Sequence, residues 1–92
     1  MATPAQIAND MSAHATYWQG RDKRTACACR DAAVMIRSYL NGANVDGRAY
    51  SGLFGRLLDL ETRYRGEHYA GIGPALTRAR LALAELKKET CA

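Results

Sequence analysis

The chain has 92 residues and a formal net charge of +4, with nine acidic residues interspersed among thirteen basic ones. This length predicts a single domain over residues 1–92, and the mixing of charge excludes a histone-like polyelectrolyte. A hydrophobic content of 48% and a charged content of 24% are those of a globular protein and exclude wholesale disorder.

The first helix signal is Thr3-Pro4-Ala5-Gln6: Thr as N-cap, Pro at the first helical position, and Gln three residues after the cap to close a capping box. Ile7, Met11, His14, Ala15 and Trp18 then recur at spacings of three and four, an apolar stripe that stops at Gly20. Asp22 caps a second helix that runs to about Leu40 and is stopped by Asn41-Gly42, with Ala26, Cys29, Ala33, Ile36 and Leu40 on one face. The small residues Ala28 and Ala32 let a neighbour approach closely. Lys23, Arg30 and Arg37 repeat every seven residues on another face, flanked by Arg24, and form a basic stripe.

Asp46 caps a third helix ending near residues 64–66, with Val45 and Tyr50 placed to form a hydrophobic staple. Tyr50, Leu53, Leu57, Leu60 and Tyr64 make one stripe, but Phe54 and Leu58 fall about 60° and 100° to one side of Leu57, at about 100° per residue. That arc is too wide for one neighbour. Arg48, Arg56 and Arg63 occupy the remaining surface, with Asp59 at helical spacing from two of them. Residues 66–73 are rich in glycine and read as a turn, after which Pro74 starts a fourth helix with Leu76, Ala79, Leu83 and Leu86 inward and Arg78, Arg80, Lys87 and Lys88 outside. No strand-like alternation is long enough for a sheet. The fold class expected is all-α, a small antiparallel bundle of about four helices.

A domain of this size buries only about 60–65% of the surface its extended chain exposes. The large apolar residues crowd into 53–60 and 76–86, while residues 25–33 are nearly all small. A thin core of this kind predicts completion by a second copy, with Phe54 and Leu58 at the oligomer interface. No apolar run approaches the roughly 20 residues needed to span a bilayer, and the start lacks a basic segment followed by an apolar one, so the expectation is a cytoplasmic protein with no membrane partner.

Chemistry-bearing constellations are scarce. Cys27 and Cys29, two apart on a helix, point about 200° from one another and can neither bridge nor share a metal. With Cys91, His14 and His68 as the only further Cys or His, neither a metal nor a cofactor is expected. Ser12, Ser38 and Ser51 have no His at a partnering offset and no glycine elbow. Gly71-Ile72-Gly73 lacks the Lys-Ser/Thr ending of a P-loop, and the connection from Leu40 to Asp46 is too long for a helix-turn-helix. No enzyme is expected.

Ten of the thirteen basic residues are arginine, whose rigid fork of donors and stackable plane suit surface recognition better than a lysine ammonium. The sequence therefore predicts a non-catalytic module that docks on a protein or a macromolecular assembly to block or bridge it. In general type, though in no motif, it resembles the small inhibitors that phages and mobile elements direct at host machinery. The alternative is an Arg-lined binder of nucleic acid or of a nucleotide, with Trp18 and Tyr64 near Arg21, Arg24 and Arg65 as stacking candidates. The residues expected to bind the partner are Lys23, Arg24, Arg30, Arg37, Arg48, Arg56 and Arg63.

Overall fold

A computed structural model describes residues 2–65 and 71–90 as four helices: α1 (Pro4–Trp18), α2 (Lys23–Leu40), α3 (Gly47–Arg63) and α4 (Ile72–Thr90). No strand occurs among the described residues. The first three starts are made by the expected caps. Thr3 accepts from the Gln6 backbone N–H at 3.2 Å while the Gln6 side chain accepts from the Thr3 N–H at 2.8 Å, so two donors that the first turn leaves over are satisfied reciprocally. Asp22 accepts from the Arg24 N–H at 3.1 Å and Asp46 from the Ala49 N–H at 3.3 Å.

The fourth start differs from expectation. α4 begins at Ile72, two residues before Pro74. Pro74 is tolerated there because the N–H it lacks is one the first turn could not have paired, and Gly71, at φ 72°, supplies the left-handed backbone that turns the chain into the helix. The remainder of the glycine-rich stretch, together with His68 and Cys91, lies outside the described residues.

The end of α1 and the end of α3 meet the starts of α2 and α4. The Trp18 and Tyr64 ring centroids are 5.5 Å apart, the Tyr64 hydroxyl donates to Asp22 at 3.0 Å, and Gly73 sits against the Tyr64 carbonyl. Sequential helices therefore run in opposite directions, in a bundle with a radius of gyration of 12.3 Å, the value expected for a compact domain of this length. α1 and α2 form the most extensive pair. Ala8, Ala28, Ala32 and Ala33 are all but fully buried, which lets their backbones come close. Met11, Ile36, Leu57, Ile72, Leu76 and Leu83 fill the centre.

Three side chains depart from the expected faces. Leu40 is 46% exposed, and Tyr39 takes the buried place at the end of α2. Arg80, expected outside, is mostly covered, since Glu61 accepts from it at 2.6 Å and its guanidinium lies 5.6 Å from the centre of the Phe54 ring. Phe54 is thus half-buried within its own chain, 5.7 Å from the Tyr50 ring, whereas Leu58 remains 40% exposed. α4 thus meets the arc of α3 at Phe54 but leaves Leu58 open. No helix among the described residues is long and apolar enough to cross a membrane.

Candidate functional site

α3 is held to α4 and to α2 in different ways, and the difference opens a groove. On the α4 side Glu61 accepts from Arg80 Nε at 2.6 Å and from the Thr77 hydroxyl at 2.7 Å, both in mostly covered surroundings. Toward α2, α3 presents Ala49, Gly52 and Arg56 on one flank, and α2 answers with Cys27, Asp31 and Met35. The short side chains among these cannot fill the space between two helix axes that stand about 8–10 Å apart.

The groove consists of two hollows. The larger, about 490 Å³, lies beside the α2–α3 connection, with Met35, Val45, Ala49 and Leu53 as its floor and Arg48, Arg56 and Asp31 on its rim. Val34, 57% exposed, forms its outer lip. The smaller, about 260 Å³, is lined by Lys23, Arg24, Cys27, Arg56 and Leu60. Between them the Arg56 guanidinium reaches across to Asp31 at 2.5 Å, an ion pair with both partners about half exposed (47% and 46%).

The seven basic residues singled out in the sequence separate into two groups. Lys23, Arg24, Arg48 and Arg56 line the groove, and Arg63 stands at its far end beside Asp22 at 3.3 Å. Arg30 and Arg37 line neither hollow and lean toward α1. Arg37 donates to the Asn9 side chain at 3.0 Å, while Arg30 borders a shallow hollow with Ser12 and Thr16 and donates to Cys27 Sγ at 3.4 Å. Of the seven-residue repeat of Lys23, Arg30 and Arg37, only Lys23 therefore lines the groove. The repeat drifts about 20° per step on a straight helix, and α1 engages one end of it.

Sequence spacing also pointed to Asp59 as the local partner of Arg56 and Arg63, but both reach across to α2 instead. Sequence reading missed Asp22 and Asp31 in this role, together with Glu61 and Gly52. No local pattern marks the acids in these roles, because their cross-helix partners are 16 or more residues away. Gly52 could have been noticed as a glycine in a helix interior, where it is the poorest residue after proline.

Asp22 does more than cap. Its carboxylate accepts from the Thr25 hydroxyl at 3.0 Å and from the Tyr64 hydroxyl at 3.0 Å, and those two hydroxyls lie 2.8 Å apart. Burial alone would raise the Asp22 pKa, but the hydrogen bonds from Tyr64 and Thr25 and the Arg63 charge outweigh it and hold the carboxyl below its usual range. The network ties the start of α2 to the end of α3. It keeps Tyr64, like Trp18, within the core, so neither ring has a face open for stacking on a base. The partly exposed Tyr17 ring is covered by Arg21 at 4.1 Å.

Other reactive groups are muted by their surroundings. Cys29 is fully buried and burial pushes its thiol up to about 12, far from the thiolate that reactivity requires. Burial also lowers the His14 pKa, with Asp10 opposing and Arg78 assisting, which favours the neutral imidazole. Among the described residues no three His, Cys, Asp or Glu side chains stand close enough to hold a metal ion. The arrangement offers an apolar floor between charged walls, suited to holding a complementary surface in place. Neither a family model, nor a curated protein, nor a solved structure matches this chain.

Proposed function

We propose that this chain is a non-catalytic binding module that docks on another protein through the α2–α3 groove and so blocks or bridges it. The observation that carries the reading is the apolar floor of Met35, Val45 and Leu53 rimmed by Arg48 and Arg56, with Lys23 and Arg24 lining the adjoining hollow that shares Arg56. Protein interfaces take most of their energy from a desolvated apolar centre and their orientation from a polar rim, and the groove offers both within one feature. A stable fold does not call for four cations around a recess. Exposed ion pairs contribute well under about 1 kcal/mol each.

The test is capture from nuclease-treated lysate by the wild type, by Gly52→Trp, which fills the groove, and by Arg48→Glu. The expected outcome is a protein that persists on the wild type at raised salt and is lost from both variants while their helicity is unchanged. Capture that ignores the groove variants would refute the reading. A bound species removed by nuclease, with log K falling linearly in log salt, would assign the basic rim to nucleic acid instead.

Self-association belongs to the proposal in a narrower form than the sequence alone implied. Phe54 is half-buried beside Arg80 of α4, so a second copy would meet α3 chiefly at Leu58. Light scattering at micromolar concentration is expected to show a dimer that Leu58→Glu converts to a monomer, and a monomeric wild type removes this part of the proposal.

A further inference from the structure

The α2–α3 groove constrains the shape and charge of whatever fills it. Resting on the docking reading above, we propose that its occupant is an acidic amphipathic α-helix of the partner protein, about four turns long, lying along the groove with its apolar stripe on Met35 and Leu53. The length follows from the α2 wall, which runs from Lys23 to Ser38 and so measures about 22 Å at about 1.5 Å per residue. A helix satisfies its own backbone hydrogen bonds. An extended segment would find no strand edge among the described residues to pair with.

Charge selects the sign. Lys23, Arg24, Arg48 and Arg56 face the groove against Asp31 as the one acid among its described lining residues, and three of the four are arginines whose forks suit carboxylates in bidentate geometry. The pair Arg56–Asp31 is half exposed, so a carboxylate of the occupant can replace Asp31 on Arg56 at little cost. Gly52 supplies the fit. An added Cβ there would meet nothing within 4 Å, so the isolated fold has no steric need of glycine, whereas an incoming helix gains a closer approach to the α3 backbone. Among the described residues no lining side chain of either hollow is aromatic, and single-stranded nucleic acid would lack there the stacking platforms on which sequence-tolerant binding depends.

Selection from a displayed library of random helical peptides of about four turns against the intact chain, followed by fluorescence titration of the enriched sequences, tests this directly. The enriched peptides are expected to repeat apolar residues at spacings of three and four and to carry Asp or Glu on both flanks of that stripe. Arg48→Glu should weaken them about tenfold, and Asp31→Asn, which removes the competing carboxylate, should tighten them about two- to fivefold. Gly52→Ala should melt about 2–8 °C above the wild type yet bind the peptides more weakly. That opposition would not arise if glycine served only the fold.

The proposal is overturned if no peptide is enriched, if the enriched ones are not acidic, if Asp31→Asn weakens them, or if a single-stranded oligonucleotide of equal charge displaces them from the groove. The docking reading fails separately. Partner capture lost in Gly52→Trp together with non-acidic peptides leaves docking intact and removes the acidic helix, whereas capture indifferent to the groove removes docking whatever the peptides show.

Discussion

Replacing Asp22 by alanine is expected to lower the melting temperature by about 10–25 °C, because one carboxylate accepts three hydrogen bonds that join two helices. It caps α2, it accepts from the fully buried Thr25 hydroxyl, and it accepts from Tyr64 at the end of α3. Loss of an N-cap costs about 0.5–2 kcal/mol, and hydrogen bonds to a charged acceptor contribute about 1.5–3 kcal/mol. The Arg63 partner, 56% exposed, adds less than about 1 kcal/mol. With these contributions overlapping in one network, a total of about 2–4 kcal/mol is expected, and in a domain of this size each 1 kcal/mol moves the midpoint about 4–8 °C.

The effect carries a pH signature. Because the folded-state pKa of Asp22 lies below that of an ordinary aspartate, the stabilisation is fully present above the ordinary carboxylate pKa and is lost as pH falls through the lower folded-state pKa. The gap between wild type and Asp22→Ala should therefore be constant near neutrality and close in acid. Asp22→Asn retains a good cap but not the charge, so it should fall between the two at neutral pH. Thermal melts across the acid range check this, and an unchanged midpoint for Asp22→Ala, or a gap indifferent to acid, would contradict the assignment.

Leu57→Ala should destabilise the bundle by about 2–5 kcal/mol, the range for a leucine removed from a packed core without full collapse of the cavity. Leu57 is completely buried at the centre of the inward stripe of α3. A domain of this length holds about 5–14 kcal/mol in all, so the loss is a large share of its stability. Leu58→Ala, one residue along and 40% exposed, should change the dilute monomer by no more than about 0.5 kcal/mol. Urea unfolding of the two variants side by side gives the comparison. Equal effects would mean that the register of α3 is misplaced.

The contrast between these neighbours marks how far a single sequence can be read. Helix starts were legible to the residue at Thr3, Asp22 and Asp46, because a cap is a contract among four consecutive residues. The inward stripes at Met11, Ile36, Leu57 and Leu83 were equally plain, since a period near 3.6 places them on one face before any neighbour is chosen. The start of α4 was misplaced by two residues, where Ile72 extended the helix ahead of Pro74 for the sake of burial.

What the tertiary structure alone decided is which flank of each helix meets which neighbour. A helical wheel gives Arg30, Arg37, Arg48 and Arg56 the same standing, as exposed cations. Only the arrangement of the bundle turns Arg37 to Asn9, sends Arg56 to Asp31, and brings Arg24 and Arg48 to one groove. The physical reason is range. Caps and periodicity act within about one turn of helix, whereas the spacing between α2 and α3 is a balance of every side chain between them, including the absent one at Gly52.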